Sequence, residues 1–314
     1  MNATPSETGF GIVVANAPVS YGAFELTVGI DPNVPDGVGV LDEVAAAGYA
    51  GIDLGPVGFL GGDTELGERL AARKLGLAGA YLELPYSDHD ALRNTLPALD
   101  DIFDTFDAAA PHRVGPPPRP TLADNGSEIR RARPGRAVDD PSIGLDADAW
   151  QRFGIGLSDV VSRCRDRGYE PTFHHETGTY VEAPWEIERV LELADVGLCL
   201  DTGHLLLGGG DPVTAIRDWG SRINQVHLKD ARRSVMAEIV ADDGQANEIW
   251  SREAFPALGQ GDLDVDGVLA ALAGIGYRGW LVVEQDTLPR TKERFERAAA
   301  DQRANRTYLA RRGL

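Results

Sequence analysis

The sequence predicts an α/β fold, a closed (β/α)8 barrel, and three observations predict it. Short apolar runs alternate with amphipathic helical stretches along almost the whole chain. Four of the later runs stop abruptly at a residue able to bind a metal: Glu176, Asp201, His227 and Glu284. These four are 25, 26 and 57 residues apart, about one, one and two strand-plus-crossover units. Parallel strands joined in this way bring their C-terminal ends to one edge, and in a closed barrel that edge is the mouth where chemistry is kept.

In chain order, after a polar tail, GIVVAN (Gly11–Asn16) is the first strand, and Pro18 enforces an extended start to the loop behind it. Leu41, Val44 and Ala45 share one face of a helix from about Val38 to Ala47, closed by Gly48. GIDLG (Gly51–Gly55) is the second strand, and the apolar, glycine-rich PVGFLGGD behind it suits a pocket wall or a tight turn. A helix over Thr64–Lys74 leads into LGLAGAYLEL, the third strand, with Tyr81 and Glu83 near its end. Leu92–Ala110 is a long helix.

The alternation then fails. Between Pro111 and Trp150 only PTLAD (Pro120–Asp124) is strand-like, so the rest reads as a long βα loop of the kind that covers an active site. Its Arg130, Arg131, Arg133 and Arg136 form the one basic cluster of an acidic chain. Such a cluster is either a solvated loop or subunit contact, or a guanidinium cap for an anionic or polyhydroxylated substrate.

Trp150–Arg167 is a helix with an apolar stripe, ended by Gly168 before the fifth strand, PTFHHE. A helix at Trp185–Ala194 precedes the run ending at Asp201; a glycine-rich turn and a short helix carrying Val213, Ile216 and Trp219 precede the run ending at His227. Arg232–Gly261 reads as an irregular, lid-like excursion with Trp250 and Phe255 as pocket walls. Asp266–Gly274 is the penultimate helix, Trp280–Glu284 the eighth strand and Phe295–Leu309 a charged last helix. Residues 1–314 are expected to form one domain.

Composition narrows the function. Hydrophobic residues at 43% and charged residues at 25% are ordinary for a soluble protein with a substantial core. A net charge of −19 disfavours nucleic acid and anionic membranes as partners, since both require basic surface. Cys164 and Cys199, in a helix and a strand, offer no disulfide framework and suit a reducing compartment. The first twenty residues carry neither a basic leader nor a long apolar run, so a cytoplasmic protein is expected. GGGD at Gly208 lacks the spacing of a dinucleotide fingerprint.

Two Glu, one Asp and one His make an oxygen-rich donor set, suited to Mn, Mg or Co rather than to a structural zinc, which favours Cys. A divalent cation on a ketone and its neighbouring hydroxyl acidifies the C–H between them by stabilising the enediolate. Glu176 and Glu284, approaching from opposite sides, would then serve as acid and base. If a β-hydroxyl leaves, the reaction is a dehydration, with His204 or Lys229 protonating the departing oxygen. If the proton returns, it is an isomerisation. Strand alternation puts His174 on the side of Glu176, within reach of substrate or metal, and packs His175 between sheet and helices. Lys229 and Asp230 lie just past a strand end, where a lysine is either a surface residue or a donor to a substrate hydroxyl. Scattered ligands, or a lysine ammonium already filling their centre, would leave the enolising chemistry without foundation.

One ordered set of segments carries a family resemblance: LDEVAAAGYAGIDLGPVGFL (Leu41–Leu60), PTLAD with its Arg-rich loop, FHHETGTYVE (Phe173–Glu182), LCLDTGH (Leu198–His204), QVHLKD (Gln225–Asp230) and GWLVVEQD (Gly279–Asp286). Together they resemble the sugar phosphate isomerase/epimerase family of xylose-isomerase-like TIM barrels, most of all its inosose dehydratase branch. The resemblance implies a TIM barrel with long βα loops over the C-terminal mouth, and Glu176, Asp201, His227 and Glu284 as ligands for Mn, Co or Mg. It implies a lyase removing water from a cyclic keto-polyol; a ketose isomerase or epimerase using the same site is the alternative. His204 matches a substrate-contacting histidine of related epimerases, and His174, Lys229 and Tyr81 complete the expected substrate contacts. In one respect the chain departs: the dehydratase branch tends to carry His at the position of Glu176, and Glu there resembles the epimerases. A nuclease on this fold needs a His-rich multi-metal cluster and a basic groove, against which stand six His and the acidic charge. A non-catalytic sugar-binding protein, indifferent to metal, is the remaining class. The expected partner is a small keto-sugar or keto-polyol, and a homo-oligomer is left open.

Overall fold

The structure, a computed structural model, describes residues 11–288 and 291–314. The expected polar tail at residues 1–10 lies outside them. The first elements are β1 (Ile12–Asn16), α1 (Gly37–Ala47), β2 (Gly51–Ile52), α2 (Asp63–Arg73), β3 (Gly76–Leu77), β4 (Gly79–Leu84) and α3 (His89–Ala109). Helix α1 starts where the Asp36 carboxylate accepts the Gly39 N–H and stops at Gly48, whose φ of 88° only glycine adopts cheaply. The expected third strand is divided into β3 and β4, so nine strands occur among the described residues where eight are expected. Ala78 at the break donates its N–H to Ile52 and accepts the Arg119 N–H, so the backbone stays hydrogen-bonded across it.

The chain continues with β5 (Arg119–Asp124), α4 (Glu128–Ala132), α5 (Ala147–Asp166), β6 (Thr172–His174), α6 (Pro184–Leu193), β7 (Gly197–Asp201), α7 (Thr202–Leu207) and α8 (Pro212–Trp219). It ends with β8 (Ile223–Leu228), α9 (Arg233–Ala241), α10 (Glu248–Ser251), α11 (Val265–Gly274), β9 (Gly279–Val283) and α12 (Lys292–Ala310). Two expectations are corrected. The turn after Asp201 is helix α7, because the Asp201 side chain itself caps the Gly203 and His204 N–H groups. The stretch Arg232–Gly261 holds α9 and α10 rather than irregular chain; its buried Met236 and Ile239 share one helix face, a signal too short to read from sequence. No helix among the described residues is long and apolar enough to cross a membrane.

Contacts divide the chain into two compact units. The first is Met1–Ala80, Asp101–Arg119 and Gly276–Leu314. Its parallel ladder runs β3, β2, β1, β9. Trp280 of β9 fills the space between them, and Gly51, Gly76 and Gly115 make room, since a Cβ at any of the three would come within 3.0 Å of its ring. Asn16 then ties α12 down, donating to the Val283 carbonyl and to Gln302 Oε1.

The second unit is Tyr81–Asp100 and Pro120–Ile275. Its parallel ladder runs β5, β6, β7, β8. Helix α5 begins at Asp146, which accepts the Ala149 N–H, and buries Trp150, Phe153, Leu157, Val161 and Cys164. Phe153 meets Phe173 of β6 with ring centroids 6.1 Å apart. Each such side chain, fully removed from water, contributes about 1.5–3 kcal/mol. The register sets the site: His174 is level with Cys199, and Asp201 is level with His227.

Candidate active site

Asp201 is the last residue of β7 and the cap of α7, and this double duty orients its carboxylate. Oδ1 accepts the N–H groups of Gly203 at 2.8 Å and His204 at 2.9 Å. Oδ2 is thereby turned toward Lys229 Nζ at 3.1 Å, His174 Nε2 at 3.4 Å and His227 Nδ1 at 4.0 Å. All four side chains are essentially inaccessible. Desolvation alone would raise the Asp201 carboxyl, but Lys229, His204 and the bond from His174 together hold it well below the usual carboxylate range. Burial lowers His174, which keeps its imidazole neutral and its lone pair available. The His175 ring stacks on that of His174, centroids 5.8 Å apart, and its Nε2 accepts the Asp201 N–H at 3.2 Å. Burial, with the nearby His174, holds it neutral too.

Lys229 is neither a surface residue nor a loose one. Thr202 Oγ1 accepts its N–H and donates to its carbonyl. Its ammonium also lies 3.2 Å from His204 Nε2 and 5.0 Å from the centre of the Phe255 ring. On the other side of the ring, His204 Nδ1 accepts the Thr177 N–H at 3.3 Å and lies 3.0 Å from Thr177 Oγ1. Phe255 thus forms a wall, its ring 5.1 Å from that of His204. Asp230 secures the segment behind it: Oδ2 accepts the N–H groups of Gly259, Gln260 and Gly261, and Oδ1 those of Ala231 and Leu263. Lys229 is therefore a protein cation beside Asp201, and the enolising chemistry requires a metal to displace its tip; His174, Cys199 and His227 offer ligand atoms within 4.8 Å of one another nearby.

Glu176 lies two residues past the end of β6, where its N–H donates to the Val181 carbonyl. Its Oε2 accepts the Tyr81 hydroxyl and is 4.0 Å from His174 Nδ1. Burial and the charges of Glu176 and Glu83 keep the Tyr81 phenol protonated. Glu284 belongs to the first unit, just after β9 and 8% exposed, with an oxygen within 4.8 Å of one of Asp53. Asp53 escaped the sequence reading although GIDLG carries an acid at its strand end like the later runs. Cys199 and Gln225 also escaped it, although each stands two residues before a strand-end candidate and so shares its face.

Every arginine of the cluster has a partner within the protein. Arg130 is fully buried, donating to Glu186 and Glu182; Arg131 donates to the Asn125 carbonyl. Arg133 pairs with Asp140, and Arg136 bonds Asp243 and the Val240 carbonyl. These bonds wire the long loop internally, most completely at Arg130.

The donor chemistry fits a divalent ion. His174, Cys199 and His227 each offer a ligand atom within 4.8 Å of the others, and Asp201 Oδ2 lies beside both imidazoles. Buried His174 Nδ1 has no hydrogen-bond partner. Two nitrogens, a sulfur and a carboxylate oxygen form a softer set than the sequence alone implied.

Ladders of parallel strands with helices between them and polar groups gathered at the strand ends define a class, and the sequence matches it. Residues 41–306 match the xylose isomerase-like TIM barrel family, and the chain belongs to that family. The inosose dehydratase of Geobacillus kaustophilus (strain HTA426) is 30% identical over 255 residues, 80% of each chain. Among solved structures, D-allulose 3-epimerase from Methylomonas sp. matches with a TM-score of 0.67 at 14% identity over all of both chains. The IolI protein with a bound zinc atom matches with a TM-score of 0.65 at 13% identity, over 93% of this chain and 96% of that one. The barrel expected from the sequence is therefore the fold of this protein.

Proposed function

We propose that the protein is a divalent-metal-dependent lyase of the inosose dehydratase type, removing water from a cyclic keto-polyol, with the whole chain acting as one barrel domain. The observation that carries this reading is Asp201 Oδ2, which faces two imidazoles and an ammonium at the ends of consecutive parallel strands. Glu176, Asp201, His227 and Glu284 are the proposed ligands, with His174 and Cys199 near enough to share the ion. Bound there, a divalent cation supplies Lewis-acid polarisation of a ketone and its adjacent hydroxyl. Mn, Co and Mg suit the carboxylates, and the thiol and imidazoles add zinc, the metal bound in the IolI structure.

The chain's own residues do the rest. Glu284 and Glu176 move the proton at the carbon beside the ketone. The Tyr81 hydroxyl holds Glu176 in one orientation. Lys229, bonded to His204, donates a proton to the departing hydroxyl oxygen, and Phe255 shields the pair from water. His174 and His204 contact the ring hydroxyls. Neither cysteine forms a disulfide, which accords with a cytoplasmic enzyme.

A ketose epimerase would use the same residues and is favoured by one feature, Glu176 in place of the His usual in the dehydratase branch. Incubating the metal-loaded protein with inososes and ketoses, followed by mass spectrometry, separates the two. Loss of one water supports the lyase; an isomer of unchanged mass supports the epimerase. Ligand binding without turnover, unaltered by a chelator, overturns both.

A further inference from the structure

We infer that Lys229 is a built-in rival of the metal: its ammonium competes with a divalent cation for Asp201 Oδ2 and so sets how tightly the centre loads. The inference rests on the proposed reading of Asp201 as a metal ligand. Asp201 has one oxygen to give, because Oδ1 is held by two backbone N–H groups at the start of α7. The remaining oxygen has the ammonium at 3.1 Å. Two cations cannot share one buried carboxylate oxygen without strong repulsion, so loading must displace the lysine tip.

The lysine is placed there by construction. Thr202 clamps its backbone on both sides. Its stem lies against Gly203, where a Cβ would come within 2.7 Å of Cγ, so the close approach depends on that glycine. The tip is not held by Asp201 alone: His204 Nε2 lies 3.2 Å from it and the centre of the Phe255 ring 5.0 Å away, contacts that remain when Asp201 is lost to a metal. An order of events follows. The ammonium becomes available to a substrate hydroxyl only after the cation has taken Asp201, so the proton donor is armed by loading.

The test compares metal-stripped full-length wild type, Lys229→Gln, Lys229→Met and Asp201→Asn, titrated calorimetrically with Mn and with Zn, alongside thermal unfolding in chelator and at saturating metal. Both Lys229 variants are expected to bind at least tenfold more tightly than wild type. They should unfold at a lower temperature in chelator, where Asp201 has lost its counter-ion, and regain the difference when loaded. If Lys229→Met fails to fold by circular dichroism, Lys229→Gln, which keeps a hydrogen-bond donor without the charge, decides. Equal or weaker affinity in the folded Lys229 variants overturns the rivalry while leaving the metal centre standing. Failure of wild type to bind either metal, or unchanged binding by Asp201→Asn, overturns the reading of the centre itself and the inference with it.

Discussion

Arg130 with Glu182 and Glu186, and Lys229 with Asp201, each bury a cation against carboxylate in the same unit, but the two clusters are wired to opposite ends. Around Arg130 every carboxylate oxygen is spoken for. Glu186 accepts both guanidinium NH groups and the N–H groups of Glu182 and Ala183; Glu182 accepts Arg130 and the N–H groups of Gly135 and Gly178. A bidentate arrangement of this kind, with its carboxylate oxygens all engaged although Arg130 Nε has no hydrogen-bond partner, holds the long loop on α6. Around Lys229 one oxygen of Asp201 faces several competing groups, and His174 keeps an unused nitrogen. Burial, charge and a nitrogen without a partner are shared by both; what separates them is that the carboxylate oxygens around Arg130 are all engaged while Asp201 Oδ2 accepts no hydrogen bond.

The largest expected effect tests the side of Asp201. Asp201→Ala should lower kcat/KM for the dehydration by about a thousandfold or more, roughly 4 kcal/mol of barrier, in steady-state assays of a folded protein. On the other side, Arg130→Met strands two buried carboxylates. It should cost about 3–5 kcal/mol in urea unfolding, while kcat of the molecules that remain folded stays near wild type.

A third experiment uses pH to sharpen the contrast. Burial pushes the carboxyls of Asp124 and Glu182 up, to about 6 and about 7, the second against the pull of Arg130. For Asp124 the folded value lies above the ordinary one of 3.8. Its contribution is therefore fully present below about pH 4 and is lost as pH rises through about 6. Wild type should lose about 3 kcal/mol relative to Asp124→Asn between pH 4 and pH 8 by chemical denaturation, and an unchanged difference would contradict the raised value. The smallest effect concerns the start of α4, where Ser127 Oγ accepts the Arg130 N–H at 3.3 Å. Ser127→Ala should cost about 1 kcal/mol of stability and leave turnover unchanged.

Much of this was legible without coordinates. The alternating pattern, the bounds of α1 and the C-terminal end of α5 depend on spacing of two or 3.6 residues and on caps a few residues away, whereas the start of α5 at Ala147 lies about one turn before the Trp150 that the apolar stripe implied. The recognition that Asp201 and His227 close successive strands depends on the same spacing. Those are short-range properties, written in the order of neighbouring side chains. Other features depend on which strands lie side by side and which rotamers survive packing. Arg130 chooses Glu182 and Glu186, more than fifty residues away; Lys229 reaches back across β7 to Asp201; α7 exists because a candidate ligand also serves as its cap. Sequence alone determined the fold and nominated the groups at the strand ends. Only the tertiary structure decided which of their atoms are already spent, because the pairing of buried charges is settled by distance through space rather than by distance along the chain.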